Sequence, residues 1–133
     1  MNSKILIVDD EEIALFLHNW VIKESGLPGT VHSFNNGRKA LDFLNLHQDD
    51  LENCIIFLDI NMPVMNGWQL LTALEETNYK HRLNILLVTS SINAEDIKRA
   101  KNYSFVSQYV AKPLSLEVCR QLKKTSTQPD PLD

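Results

Sequence analysis

The sequence predicts an α/β fold, a doubly wound, five-stranded parallel sheet in the order 2-1-3-4-5. Three observations point to it. Short apolar runs alternate five times with segments of helical periodicity, and the connections are short and rich in turn residues. The runs Lys4-Ile5-Leu6-Ile7-Val8, Cys54-Ile55-Ile56-Phe57-Leu58 and Ile85-Leu86-Leu87-Val88 are continuous rather than alternating, which suits strands covered on both faces. Each of the three then stops at polar residues, Asp9-Asp10, Asp59 and Thr89-Ser90-Ser91, as strands do when their carboxyl ends share a site.

After the first strand, Asp9-Asp10-Glu11-Glu12 leads into a helix. Capping and the helix dipole account for one or two of these acids; adjacent carboxylates closing a strand call for a nearby cation. Ile13, Phe16, Leu17, Trp20 and Val21 are expected to form the inner stripe of this first helix, with His18, Asn19 and Lys23 on the solvent side. Gly26, Pro28 and Gly29 end it, and Thr30–Phe34 reads as a polar edge strand. Asn35-Asn36-Gly37 turns the chain into a second helix lined by Ala40, Leu41, Leu44 and His47, followed by a solvated segment from Gln48 to Asn53.

The Asp59 strand runs into Ile60-Asn61-Met62-Pro63, a stiff turn, and Asn66-Gly67 offers a helix start. Leu70, Leu71 and Leu74 mark the third helix, and Glu75 to Arg82 reads as a loop. Beyond the fourth strand, Asn93 caps a short helix carrying Ala94, Ile97 and Ala100. Phe105 to Ala111 is the fifth strand, closed by Lys112-Pro113, and Leu114, Val118, Cys119 and Leu122 line the last helix. Residues 1–125 are read as one domain and 126–133 as a short polar tail, expected to be frayed.

With 44% hydrophobic and 23% charged residues the chain has the composition of a soluble globular domain, and no apolar run is long enough to span a bilayer. Met1-Asn2-Ser3-Lys4 enters a strand with no cleavage-site pattern, which leads us to expect a cytoplasmic protein. Cys54 and Cys119 sit in apolar settings at no metal spacing and are expected as reduced core thiols. A net charge of −4 without a basic run argues against direct nucleic-acid binding; the expected partner is protein. The four histidines show no ligand spacing.

The predicted strand order brings Asp9, Asp10, Asp59, Thr89 and Lys112 to one rim. Three carboxylates and one ammonium nearly balance once a divalent cation enters, and an oxygen-only donor set suits Mg²⁺ better than zinc or copper. Such a site fits a phosphoryl group, with Asp59 as in-line nucleophile, Thr89 as hydrogen-bond donor and Lys112 as counter-charge. The motifs Val8-Asp9-Asp10-Glu11, Leu58-Asp59-Ile60-Asn61-Met62-Pro63 with Gly67, Val88-Thr89-Ser90 and Tyr109-Val110-Ala111-Lys112-Pro113 resemble, over nearly the whole chain, the receiver domain of two-component response regulators, of the single-domain chemotaxis type with its flavodoxin-like fold.

The resemblance implies that Asp59 is the phosphoacceptor, supplied by a sensor histidine kinase or a histidine phosphotransfer protein. It implies that Asp10, Asp59 and the Asn61 carbonyl bind Mg²⁺ directly and that Asp9 does so through water. Thr89 and Lys112 match the groups that contact phosphate, Ser90 supplies a backbone donor, and Lys112-Pro113 is a candidate cis peptide. Tyr109 matches the switch aromatic that follows Thr89. The signal is then expected to leave through the fourth helix, fifth strand and fifth helix, to a downstream protein or a second copy. The protein is expected to catalyse only its own phosphorylation and dephosphorylation.

One departure from the family pattern is Tyr103-Ser104-Phe105-Val106-Ser107-Gln108 before the last strand, where Asn102 is expected to supply a left-handed cap and Phe105 to widen the apolar output face. Among other readings, a flavin-type phosphate binder would want a Ser/Thr/Gly loop where this chain has four acids. An aspartyl phosphatase would carry a second acid where Asn61 stands, and a receiver-shaped module that never takes phosphate sits poorly with the complete acidic set.

Overall fold

The computed structural model describes residues 3–127, with side chains as far as residue 125. The strands are β1 (Lys4–Val8), β2 (Thr30–Phe34), β3 (Cys54–Leu58), β4 (Leu83–Thr89) and β5 (Val106–Ala111). The helices are α1 (Glu12–Ser25), α2 (Gly37–Leu46), α3 (Gly67–Glu75), α4 (Ala94–Ala100) and α5 (Leu116–Thr127). All strand pairs are parallel and the order is β2-β1-β3-β4-β5, as the sequence predicts. The last six residues of the expected tail, 128–133, lie outside the described residues.

Strand periodicity divides the interior in two. Leu6, Val8, Ile56, Leu58, Ile85 and Leu87 point to one face, where Ala40 and Leu44 of α2, Leu70, Leu71 and Leu74 of α3, and Ala100 of α4 cover them. Ile5, Ile7, Ile55, Phe57, Leu86 and Val88 point to the other, under Ile22 of α1 and Cys119 and Leu122 of α5. The two faces explain why the three inner strands read as unbroken apolar runs. Both cysteines are free and buried, and burial pushes the Cys54 thiol up to about 12, which leaves it inert.

The inner stripe of α1 is not the one expected, except for Val21, which is half-buried against the core. Ile13 is 75% exposed, Phe16 70%, Leu17 44% and Trp20 54%, whereas His18, Ile22 and Ser25 are buried. Polar residues go inside because each finds a partner. The Leu114 N–H donates to His18 Nε2 at 3.5 Å, and the Ser25 hydroxyl donates to the Ile22 carbonyl at 2.6 Å while accepting from the Leu27 N–H at 3.2 Å.

Three smaller expectations also give way. Phe105 is buried in the sheet's α2–α4 face, against the ring of Tyr103, and does not widen an outer surface. Asn102 has no left-handed backbone; α4 ends instead on right-handed Lys101, with the Asn102 N–H donating to the Arg99 carbonyl. The segments read as solvated loops bury Leu51 and Tyr79, each beside a short 3-10 turn, and the Tyr79 hydroxyl donates to Asn45 Oδ1 at 2.6 Å.

Candidate functional site

The sheet ladder continues one residue past the strands and carries the site residues with it. The Asp9 N–H donates to the Phe34 carbonyl at 3.0 Å, the Asp59 N–H to the Val8 carbonyl at 2.9 Å, and the Lys112 N–H to the Thr89 carbonyl at 2.8 Å. Each of these backbones is therefore tied to the neighbouring strand by a bond just past its own strand's end. The chain then leaves β3 through residues 60–66, which are braced at both ends. The Gly67 N–H donates to the Ile60 carbonyl at 2.8 Å, and a Cβ at Gly67 would stand 2.8 Å from both the Asp59 carbonyl oxygen and Ile60 Cα. Only glycine permits that approach. The Asn66 side chain accepts from the Gln69 N–H while Gln69 Oε1 accepts from the Asn66 N–H, a complete capping box that starts α3.

Asp9 and Asp59 are 2% and 6% exposed, Asp10 is exposed, and the three offer carboxylate oxygens within 4.8 Å of one another. Lys112 Nζ reaches Asp9 Oδ2 at 2.8 Å, Glu11 Oε1 at 3.2 Å and Asp59 Oδ2 at 3.6 Å. Burial, then repulsion from Asp9, pushes the Asp59 carboxyl up to about 6; Lys112, the Asn61 N–H it accepts from, and Asp10 make smaller contributions of either sign. Burial by itself would lower the Lys112 pKa, but the Asp9 hydrogen bond together with Asp59 and Glu11 holds it above the ordinary value. A buried carboxyl lifted in this way, next to a partner of like charge, marks a site short of positive charge. The oxygen donors and their spacing fit a hard divalent cation.

Thr89 is 2% exposed and ends β4 beside Ala111 of β5; its hydroxyl is held locally, donating to the Ser91 carbonyl at 3.3 Å. Ser90 follows it into an exposed turn. Lys112-Pro113 is cis. Tyr109 lies further off: half-buried on β5, it donates its hydroxyl to Asp96 Oδ2 of α4 at 3.4 Å. Asn61 is exposed, next to Asp59. The structure thus gathers Asp9, Asp10, Asp59 and Lys112 in direct reach, with Thr89 and Asn61 at the same strand ends, and ties Tyr109 of β5 to α4.

Two contributors are not assigned in the sequence. Glu11 looks like the middle of an acidic helix start, yet it is a third partner of Lys112. His18 looks like a solvent-side residue, yet it packs beneath the chain just after Lys112-Pro113, where burial pulls its imidazole below the ordinary value, opposed by Asp9 and assisted by Lys112. Only the fold brings positions 18 and 114 together, so periodicity could not find the pair.

Comparison with known proteins agrees with this geometry. Residues 5–124 match the family model described as the response regulator receiver domain. Among curated proteins, the chain is 28% identical over 123 residues to the "Probable methanogenesis regulatory protein FilR2" of Methanothrix harundinacea, covering 91% of this chain and 77% of that one. It is 25% identical over 128 residues to the "Two-component response regulator ORR1" of Oryza sativa subsp. indica, covering 93% of this chain but only 55% of that one. A solved two-component response regulator from Cytophaga hutchinsonii superposes with a TM-score of 0.85 at 27% identity, covering 96% of this chain and 98% of that one. Sheet order, rim residues and family match together make this chain a member of the response regulator receiver family of two-component signalling.

Proposed function

We propose that Asp59 accepts a phosphoryl group from a phosphohistidine on a sensor histidine kinase or histidine phosphotransfer protein. The observation that carries this reading is the convergence of three carboxylates and Lys112 on one braced rim. Asp9, Asp10, Asp59 and the backbone of Asn61 would hold Mg²⁺, which when bound neutralises charge on the phosphoryl oxygens. With its pKa at about 6, Asp59 is ionised at neutral pH and can act as a nucleophile. One of its oxygens bonds to phosphorus in line as the phosphorus–nitrogen bond to the donor imidazole breaks. The Lys112 ammonium and the Thr89 hydroxyl, after leaving the Ser91 carbonyl, take the equatorial oxygens together with the Ser90 N–H.

The chain has no further catalytic group in this reading: it acts on its own phosphorylation and dephosphorylation and is not an enzyme toward other substrates. The donor has to approach over the rim, and the exposed stripe Ile13, Phe16, Leu17 and Trp20 begins three residues after Asp10. Its spacing suits an apolar helix laid alongside, and we assign it to the donor. The output face is α4-β5-α5, presented to a downstream protein or a second copy, with Thr89 and Tyr109 as the switch pair. None of the helices among the described residues is long and apolar enough to cross a membrane.

The test is incubation with acetyl phosphate and Mg²⁺, followed by intact mass of the wild type and Asp59→Asn. One phosphoryl adduct on the wild type alone is the expected result. Equal labelling of both proteins refutes Asp59 as acceptor.

A further inference from the structure

Helix α4 is seven residues long and buries only Ala100. A helix that short has no stability of its own, so its position depends on what ties it down. At one end, Asp96 accepts from the Tyr109 hydroxyl. At the other, the Arg99 guanidinium lies over the Trp68 ring, 4.3 Å from its centroid. Tyr103, just past the helix, stacks on the same ring at 6.5 Å and shares a 3.2 Å hydrogen bond with Thr72 of α3.

Trp68 is not a neutral anchor. It follows Gly67, whose backbone is packed without slack on the Asp59 carbonyl and bonded to Ile60. A shift of the Asp59 backbone therefore moves the start of α3 and the indole with it. The chain of contact from the proposed phosphoacceptor to α4 runs Asp59, Gly67, Trp68, Arg99, and it is separate from the route through Thr89 and Tyr109.

We propose that the Arg99–Trp68 contact is a latch: it holds α4 in its resting position and works against loading of Asp59. Arg99 and Trp68 are positioning residues that touch neither phosphate nor cation. The inference rests on Asp59 being the phosphoacceptor. Because coupling between two sites is reciprocal, a latch that opposes loading must, when cut, make loading easier. A cation–π contact made by an exposed guanidinium corresponds to a factor of about two to five.

The experiment is calorimetric titration of beryllofluoride, a phosphoryl mimic, in Mg²⁺, with amide hydrogen exchange of residues 94–103 measured in both states. The proteins are the wild type, Arg99→Ala, Arg99→Lys and Asp59→Asn. Arg99→Ala is expected to bind beryllofluoride two- to fivefold tighter and to exchange faster across α4 only when unloaded. Arg99→Lys, which keeps the charge but not the planar stack, is expected to shift affinity in the same direction by less, and it stands in if the alanine variant fails to fold. Unchanged or weaker affinity in both variants, or exchange accelerated equally with and without beryllofluoride, overturns the latch and leaves Asp59's role standing. If the wild type binds no better than Asp59→Asn, the phosphoacceptor reading falls and the latch falls with it.

Discussion

Replacing Asp59 with Asn should stabilise the metal-free protein, although on the proposed reading it removes the phosphoacceptor. The carboxyl is held at about 6 against an ordinary 3.8, so keeping it ionised at pH 7.5 costs about 3 kcal/mol of folding free energy as a ceiling. That figure already includes the repulsion from Asp9 and the attraction of Lys112 at 3.6 Å; asparagine removes it but leaves an amide to be buried among groups arranged for a carboxylate. A net gain of about 1 to 2 kcal/mol remains. Because the folded value lies above the unfolded one, the native chain keeps a proton that the unfolded chain loses between about pH 4 and 6. Asp59 therefore weakens the wild type as pH rises through that window, and the gap to Asp59→Asn opens over it. Urea denaturation in EDTA at pH 5 and pH 7.5 measures this, and repeating it with Mg²⁺ should narrow the gap because the cation stabilises the wild type more. A variant no more stable than wild type at pH 7.5 in EDTA, or a gap as wide at pH 5, refutes the electrostatic account.

Three further variants probe other parts of the molecule. Gly67→Ala places a Cβ 2.8 Å from two backbone atoms that cannot rotate away, so denaturation should show a loss of about 2 to 3 kcal/mol. His18→Ala leaves the buried Leu114 N–H without its acceptor and should cost about 1 to 2 kcal/mol at pH 8. Since burial holds the His18 pKa below its ordinary 6.5, the wild type loses this contribution as pH falls below that value, and the difference in urea midpoint should shrink by pH 5.5. Phe16→Ser with Trp20→Ser removes exposed rings, so stability should stay within about 0.5 kcal/mol and acetyl phosphate labelling should not change. Transfer from a phosphohistidine protein should slow at least tenfold in a stopped assay; equal rates would detach this stripe from the donor.

The sheet was legible because its strands are unbroken apolar runs ending in polar residues, a pattern that survives without knowledge of the tertiary structure. Asp9, Asp59 and Lys112 could be placed for the same reason: each is the residue at which a strand stops. The face of α1 was not legible. Periodicity identifies a stripe of Ile13, Phe16, Leu17 and Trp20, but a stripe facing a partner and a stripe facing the core have the same spacing. His18 and Ser25 enter the interior through hydrogen bonds to Leu114, Ile22 and Leu27 that depend on the docked chain. Leu51, Tyr79 and Phe105 failed in the opposite sense: each is an apolar residue in a polar neighbourhood, and its burial depends on where the loop folds back.

The segment between β3 and α3 leans on more than its own helix. The Gly37 N–H at the head of α2 donates to the Met65 carbonyl at 3.1 Å, and a Cβ there would meet that oxygen at 2.7 Å. Met65 is thus clamped by one helix while Ile60 is clamped by the next, and Val64 between them is driven to a φ of 68°, a conformation a β-branched residue rarely adopts. Lengthening this turn by even one residue would uncouple two helices at once.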